Sequence, residues 1–413
     1  MRAVLLSTYD LGHQPLGLAS PAAYLEGRGW QVRCFDTSAG TPDPEALGAA
    51  DLVGFYLPMH TATRLAVPWI KRVKSINPRA RLAAYGLYSQ LNRPYLEELG
   101  VRWFAPPPLA KSADYPVPQR QGLKPLDQYA HLHVLGQQRT VGYTEGSHGC
   151  KHLCRHCPVV PVYQGQFRIM PVATVMADIR QQVAAGAQHI TFGDPDFFNG
   201  PAHARRLVEA FHAEFPDLTY DVTIKIEHLL QQRELLPVLR ATGCSFITSA
   251  VESLDDAVLE KLAKGHTRAD FLDAVALVRE EGLTLAPTFI AFTPWTTRSS
   301  YREFLSTIRD LDLAENVAPV QLALRLLITQ GSRLLELSDI QRVRGDFHPP
   351  SLLYRWQHED PAMDTLATRL MKLVAQPGTR TQIFAKVWEQ VFAEPLDLVP
   401  RSAIPYMDEP WYC

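Results

Sequence analysis

The chain has 413 residues, with 41 Lys and Arg against 43 Asp and Glu, and its formal net charge is -2. This near-neutral charge gives no global electrostatic reason to bind nucleic acid or an anionic membrane. The length suits two or three domains. No apolar run reaches the roughly 18 residues of a transmembrane helix, and the N-terminus lacks the apolar core and cleavage site of a signal peptide. We therefore expect a cytoplasmic protein without nucleic-acid or membrane partners.

Residues 1–110 alternate short apolar stretches with helical ones. The pattern predicts strands at 2–7, 30–35, 51–57, 81–85 and 101–104, and helices at 18–28 and 61–75. Strands that alternate with helices imply a parallel sheet covered on both faces. We therefore predict a Rossmann-like, doubly wound α/β domain over 1–110.

The alternation resumes after a proline-rich linker at 111–137, which we expect to be extended. Helices precede the later strands, and the strands are predicted near 140–143, 189–192, 220–226, 245–251, 284–291 and 320–327. Six βα units are too few for a closed eight-fold barrel. The pattern predicts a partial (βα)6 barrel over 138–335, followed by a helical and irregular C-terminal extension over 336–413.

Three of the six cysteines lie within eight residues, as Cys150, Cys154 and Cys157 in a C-x3-C-x2-C spacing. The other three are scattered, so a disulfide framework is not expected. Three thiolates this close can hold three corners of a small iron–sulfur cluster. Zinc would need a fourth ligand, which a neighbouring histidine (His148, His152 or His156) could supply. Ligand count alone leaves both metals open.

The position of these cysteines in the predicted fold bears on the choice between an iron–sulfur cluster and zinc. They follow the first strand of the βα series, in a loop at the carboxyl ends of the strands, where this architecture builds active sites. In this context the motif resembles the radical S-adenosylmethionine (SAM) superfamily, over roughly residues 138–330. The resemblance implies a [4Fe-4S] cluster held by the three cysteines and SAM chelated to its remaining iron. It also implies an external flavodoxin- or ferredoxin-like electron donor and homolytic cleavage of a C–S bond.

The resemblance also implies a set of residues that position SAM: His156, Gly193, Asp194, Asp196, Lys225, Glu252, Lys264 and Arg325. Gly193 lets the backbone approach the ligand, and Asp194 or Asp196 accepts from the SAM ammonium. Lys264 pairs with a carboxylate. Arg325 stands in an apolar strand and would be costly to bury without an anionic partner, for which a structural Asp or Glu is the alternative. Lys225, on the third strand, could likewise form a structural ion pair.

Residues 1–110 resemble the cobalamin-binding-type domain that precedes the radical domain in one large subgroup, and residues 12–18 are typical of its first loop. The Asp-x-His-x-x-Gly signature that puts a histidine on cobalt is absent, because Asp10 and His13 have a different spacing. The fold alone does not prove the cofactor. Cobalamin therefore stays open as a third cofactor, with His13 expected to be a loop residue.

Residues 156–163 and 191–199 resemble the radical SAM family named for its CUAEP/CCAEP tail. Chains of that family end in a Cys-Cys or Cys-selenocysteine pair followed by Ala-Glu-Pro, whereas this sequence stops at Cys413. The family's neighbourhood includes arsinothricin biosynthesis. The resemblance thus implies transfer of the 3-amino-3-carboxypropyl group of SAM to trivalent arsenic, with Cys413, a soft donor, as a candidate substrate contact.

Two other functions remain open. One is cobalamin-dependent radical methylation of a small natural product, and the other is a non-catalytic zinc or iron sensor. Modification of tRNA is disfavoured, because the sequence shows no basic nucleic-acid-binding appendage. The leading interpretation is group transfer from SAM to a small acceptor.

Overall fold

The computed structural model describes residues 1–105, 115–399 and 404–409. The strands are β1 (Arg2–Ser7), β2 (Gln31–Asp36), β3 (Leu52–Tyr56), β4 (Arg81–Tyr85), β5 (Trp103–Phe104), β6 (His131–Val134), β7 (Gln137–Thr144), β8 (Ser147–Gly149), β9 (Phe167–Ile169), β10 (His189–Phe192), β11 (Thr219–Thr223), β12 (Cys244–Glu252), β13 (Leu285–Phe289), β14 (Arg344–His348), β15 (Leu353–Trp356) and β16 (Tyr406–Met407). The helices are α1 (Leu16–Glu26), α2 (Pro44–Gly48), α3 (His60–Ile76), α4 (Leu87–Leu91), α5 (Arg93–Glu98), α6 (Val159–Tyr163), α7 (Val172–Ala184), α8 (Pro201–Glu214), α9 (Ile226–Gln231), α10 (Leu236–Ala241), α11 (Asp256–Leu262), α12 (Arg268–Glu280), α13 (Arg298–Asp310), α14 (Ser338–Val343), α15 (Pro361–Val374) and α16 (Arg380–Phe392). Within the described ranges, each helix is too short or too polar to cross a bilayer.

The N-terminal sheet is five-stranded and parallel, in the order β2-β1-β3-β4-β5. The strands form where apolar runs bury on both faces, as in β1, whose residues from Ala3 to Leu6 are at most 2% exposed. The strand order reverses between β1 and β3. Ligands of open α/β sheets bind outside the carboxyl ends of the strands at such a reversal. The predicted Rossmann-like arrangement is confirmed. The carboxyl ends of β1, β3 and β4 form the edge of this sheet where a ligand is expected, which we call the ligand edge.

The second sheet runs in the order β13-β12-β11-β10-β7-β6-β16, and it is parallel from β7 to β13. The predicted sixth strand at 320–327 is wrong. Pro319–Leu322 forms a 3-10 turn instead, and an isolated bridge between Phe292 and Arg325 lies where the sixth strand was predicted. The Gln321 side chain accepts a hydrogen bond from Phe289 N (2.8 Å). A side-chain amide thus takes a bond that a sixth strand would have supplied, and the curled sheet stays open.

The C-terminal segment belongs to the barrel. Leu370 of α15 and Phe384 and Trp388 of α16 are buried in the same apolar core as the barrel strands. Beyond them β16 pairs antiparallel with β6, where the sequence had suggested only an irregular tail. Asp408 adds a hydrogen bond from His131 N (2.5 Å). Cys413 and part of the predicted linker lie outside the described residues.

Arg120 joins the linker to both halves of the molecule. Its Nε and Nη2 donate to the two oxygens of Asp178 (2.6 and 2.8 Å) on α7, and Nη1 donates to Gln14 Oε1 (2.7 Å) beside α1. Nη2 also donates to the Tyr143 carbonyl (2.7 Å). The side chains of Arg120 and Asp178 are 7% and 1% exposed, so this is a buried ion pair.

We expect Arg120→Leu to lower the free energy of unfolding by about 3–5 kcal/mol, because it leaves the buried Asp178 carboxylate uncompensated. The matched control is Arg33→Leu, which breaks the exposed pair with Asp43 and should cost less than about 1 kcal/mol. Urea denaturation followed by circular dichroism checks both. Equal losses in the two variants would show that the linker pair does not hold the halves together.

Candidate active site

The cysteine loop, which we define as residues 145–158, begins directly after β7. β8 pairs with β9 to close its base, and Gly149 there has φ +81°. A Cβ on Gly149 would lie 2.4 Å from the Gln166 carbonyl oxygen, so this position requires glycine. The loop then turns tightly, with Cys157 N donating to the Cys154 carbonyl (3.2 Å), and leads into α6. The backbone thus folds the three cysteines back on one another.

The three thiols lie near one another, with Cys154 buried and Cys150 and Cys157 partly exposed. Burial is the main cause that raises the pKa of Cys150 to about 11 and that of Cys157 to about 12, and the neighbouring thiols add to both shifts. Cys154 is 6% exposed. Such thiols stay protonated until a metal ion replaces the proton. Their grouping at the carboxyl edge of the barrel fits three corners of an iron–sulfur cluster.

The nearby histidines face carboxylates. His148 Nδ1 lies 2.6 Å from Glu145, His152 Nε2 lies 3.2 Å from Asp196, and His156 Nε2 lies 3.0 Å from Glu252. Each of these ring nitrogens therefore lies against a carboxylate rather than against a thiol. The donor set fits a three-thiolate cluster better than a zinc knot.

The segment after β10 clamps the cysteine loop. Asp194 accepts from Gly146 N (2.7 Å) and from Ser147 Oγ (2.5 Å). Asn199 Oδ1 accepts from Lys151 N (3.2 Å), and its Nδ2 donates to the Gly149 carbonyl (3.3 Å). Burial raises the pKa of Asp194 to about 7 despite these bonds. Both Asp194 oxygens thus hold the loop, and a contact of Asp194 with SAM stays a prediction.

Asp196 lies deeper, beneath the same loop. Its Oδ2 is 3.2 Å from His152 Nε2 and 2.6 Å from His228 Nδ1, and its side chain is 0% exposed. Burial opposes its charge, but the two rings hold the pKa of Asp196 down at about 2. The sequence suggested Asp196 as an acceptor for the SAM ammonium. In the structure, the rings of His152 and His228 lie against this carboxylate.

Glu252, Lys264 and His156 form a charged triad beside the cysteines. Glu252 Oε1 lies 3.0 Å from His156 Nε2 and 3.5 Å from Lys264 Nζ. Burial opposes charge on both partners, yet Lys264 and His156 hold the pKa of Glu252 at about 2, and Glu252 raises that of Lys264. Glu252 also has φ +70°, a conformation that non-glycine residues rarely adopt and that clusters at functional sites. Three of the predicted SAM-positioning residues thus meet in one place.

Lys225 and Arg325 are placed differently from the prediction. Lys225 is not on the third strand, because β11 ends at Thr223 and Lys225 is the residue that precedes α9. It is buried, and its Nζ lies 3.1 Å from Glu227 and 3.2 Å from His152 Nδ1. Arg325 pairs with Asp364 (2.5 Å), the structural partner that the sequence had left as the alternative.

Two side chains at the site, Tyr143 and His266, were not predicted from the sequence. Tyr143 at the end of β7 packs over Gly193 and donates to Glu145 (3.0 Å). His266 is buried, and burial together with Lys264 and Lys225 lowers its pKa to about 4, so its ring is neutral. A tyrosine in a strand and a histidine before a helix carry no local signal. The glycine at 193 was the sequence feature that could have indicated a close aromatic neighbour.

We expect Gly193→Ala to destabilise the protein by about 1–3 kcal/mol through overpacking. The new Cβ would lie 1.8 Å from the Tyr143 hydroxyl. Gly200→Ala is the matched control, because its Cβ would meet only ordinary contacts at 3.6 Å or more. Thermal unfolding compares the two. A Gly193→Ala protein as stable as Gly200→Ala would show that Tyr143 moves aside freely.

The N-terminal domain meets this site through its first loop. The His13 ring stacks on Tyr143 with centroids 4.8 Å apart, and its Nε2 lies 3.3 Å from Glu409 near the C-terminus. At the same sheet edge, Ser7 Oγ, Asp10 Oδ2 and the Tyr85 hydroxyl are buried without a hydrogen-bond partner in the described chain. Burial raises the pKa of Asp10 to about 7. Unpaired buried polar atoms are costly, so this edge suits a polar ligand.

Comparison with known proteins gives one family and several relatives. Residues 144–308 match the Radical SAM superfamily model. The uS12 methylthiotransferase RimO of Porphyromonas gingivalis is 25% identical over 191 residues, which cover 43% of each chain. The hopanoid C-3 methylase of Methylococcus capsulatus is 26% identical over 190 residues, covering 46% of this chain and 36% of that protein. The chain thus spans less than half the length of these curated relatives.

Two solved structures share the fold over a larger part of the chain. The methyltransferase TsrM from Kitasatospora setae, with cobalamin and a [4Fe-4S] cluster bound, has a TM-score of 0.59 at 17% identity and covers 75% of this chain and 70% of its own. The cobalamin-dependent enzyme OxsB, with aqua-cobalamin and SAM bound, has a TM-score of 0.66 at 13% identity and covers 89% and 66%. At these identities the likeness concerns the fold. Residues 144–308, which contain the cysteine loop and the charged triad, thus match the Radical SAM superfamily domain.

Proposed function

We propose that this protein is a radical SAM methyltransferase that uses cobalamin and acts on a small molecule. The observation that carries the proposal is the stack of His13 on Tyr143. It sets the ligand edge of the N-terminal sheet directly against the strand that leads into the cysteine loop. A cofactor at that edge and SAM at the cysteines would therefore be neighbours. TsrM and OxsB, which share this fold, are described with cobalamin bound.

The residues present fit the proposed cofactors. Cys150, Cys154 and Cys157 would hold a [4Fe-4S] cluster, which supplies a low-potential electron to SAM. The orphaned polar atoms of Ser7, Asp10 and Tyr85 suit the amide-rich rim of a corrin, whose cobalt can carry methyl groups. His13 is engaged by Glu409 and Tyr143, so we do not assign it to cobalt.

The residues of the triad would orient SAM. Lys264 is a buried cation held beside the cysteines, and it offers N–H donors to the SAM carboxylate. Glu252 keeps Lys264 charged and in place, and His156 contacts the same oxygen of Glu252. Asp194 and Asn199 hold the cysteine loop rigid, so the thiols are positioned before metal binds. An external flavodoxin- or ferredoxin-like protein would deliver the electron.

The transfer of a 3-amino-3-carboxypropyl group to arsenic is the weaker proposal. The relatives described above are methyltransferases and methylthiotransferases. Its tail residue, Cys413, lies outside the described residues. The two reactions leave different SAM fragments, so one assay separates them.

The test is anaerobic reconstitution of the full chain with iron and sulfide, followed by incubation with hydroxocobalamin, reductant and methyl-deuterated SAM. We expect retained corrinoid absorbance after gel filtration and S-adenosylhomocysteine by mass spectrometry. Tryptophan, the substrate of TsrM, is the first acceptor to include. Failure to retain corrinoid, together with formation of 2-aminobutyrate, would replace methyl transfer by carboxypropyl transfer. Retained corrinoid in His13→Ala with an unchanged spectrum would support a cobalt without a histidine ligand.

A further inference from the structure

Three ligand-type atoms converge beneath the cysteine loop, apart from the thiols. They are His152 Nε2 from the cysteine loop, Asp196 Oδ2 from the segment after β10, and His228 Nδ1 from α9, and all lie within 4.8 Å of one another. The three side chains are 13%, 0% and 1% exposed. Three separate elements thus bring two imidazoles and a carboxylate to one buried point.

Hydrogen bonding does not explain this convergence. Asp196 Oδ2 is close to both rings, yet Oδ2, His152 Nε2 and His228 Nδ1 each lack a hydrogen-bond partner in the described chain. The buried pair of His189 and Asp221 behaves differently, with a regular hydrogen bond of 3.0 Å. Buried polar atoms that do not satisfy one another are costly. Three ligand-type atoms that lie within 4.8 Å of one another and lack hydrogen-bond partners among the described residues are a set that one metal ion can share.

We propose that His152, Asp196 and His228 bind a divalent transition-metal ion, Zn²⁺, at a site separate from the cluster cysteines. Two imidazoles and one carboxylate are a donor set that zinc accepts. Asp196 would bind through Oδ2 alone, because its Oδ1 accepts from Phe198 N (3.3 Å) at the start of a 3-10 turn. Three protein ligands leave the fourth position to water.

The ion would brace the cysteine loop. His152 stands between Cys150 and Cys154 in the chain, so a metal bond there ties the thiol-bearing segment to β10 and α9. Glu227 Oε2, 3.7 Å from His152 Nδ1, is the carboxylate that would orient this ring. The competing arrangement has Lys225 Nζ (3.2 Å) donate to Nδ1, so that Nε2 keeps its hydrogen and cannot bind metal. The proposal does not depend on methyl transfer.

Metal content of the full-length protein tests the site. In the variant Cys150→Ala/Cys154→Ala/Cys157→Ala, which removes thiolate ligands, we expect about one zinc per chain after dialysis against zinc-free buffer. Adding Asp196→Asn, which preserves the shape of the side chain, should reduce this to about zero. Adding His189→Gln instead is the matched control, because it alters a buried histidine whose neighbour is an ordinary hydrogen-bond partner, and the zinc should remain.

Cobalt substitution keeps the proposal testable if a variant folds poorly. Co²⁺ bound to the cysteine-free variant should give d–d bands without thiolate charge-transfer absorption, and His228→Gln should remove them. Absence of stoichiometric zinc in the cysteine-free variant would overturn the proposal. Zinc that persists after Asp196→Asn would do the same, by showing an adventitious ion. These results would leave the assay of SAM cleavage unaffected.

Discussion

Replacing Cys154 with alanine is expected to abolish iron incorporation and SAM cleavage, because in the proposed enzyme the cluster supplies the electron that breaks SAM. Cys154 is the most buried of the three thiols and also the one that contributes to the shifted pKa values of both Cys150 and Cys157. Its loss removes one of three protein ligands. The checks are iron content, the visible absorption of the reconstituted cluster, and mass spectrometry of SAM fragments.

Cys244→Ala is the control for that experiment. Cys244 is buried in β12, and its Sγ contacts the Phe246 carbonyl rather than another thiol. The variant should retain iron and SAM cleavage within about two-fold while losing some stability to the smaller side chain. Full SAM cleavage by Cys154→Ala, or equal loss in the two variants, would remove the cysteine loop from the centre of the chemistry.

The parts of the site that could be predicted from the sequence are those whose pattern lies within a short stretch of the chain. The C-x3-C-x2-C spacing lies within eight residues, and its place after the first barrel strand follows from alternation alone. The strand periods also located β1, β4 and β10 to within a residue or two. Such features depend on neighbours in the chain, which a sequence displays directly.

The parts that were missed depend on contacts between distant positions. Arg325 pairs with Asp364, which lies 39 residues later in the chain. No sequence pattern near Arg325 indicates that partner. Lys225 was predicted on a strand at 220–226, but the strand ends at Thr223 and a helix begins at Ile226. The convergence of Asp196 with His228 needs the fold, because it arises where neighbouring strands end at one edge of the sheet.

Lys264 gives the second large expected effect. Lys264→Met removes a 3%-exposed cation and leaves the Glu252 carboxylate, 12% exposed, with His156 alone. Breaking a buried pair in this way costs about 3–5 kcal/mol, so the variant should unfold at lower urea concentration. It should also bind SAM at least about 10-fold more weakly, because a charge-assisted hydrogen bond to the SAM carboxylate contributes about 1.5–3 kcal/mol.

The double variant Glu252→Gln/Lys264→Met separates these two effects. With both charges gone, no carboxylate is left uncompensated, and stability should return to within about 1–2 kcal/mol of the native protein. SAM affinity, measured by equilibrium dialysis on the reconstituted protein, should stay low, because Lys264, the proposed donor for the SAM carboxylate, is still missing. A double variant that is stable and binds SAM normally would assign the pair to folding alone. The strained Glu252 backbone, at φ +70°, argues against that outcome, because a purely structural ion pair gains nothing from holding one of its residues in a disfavoured conformation.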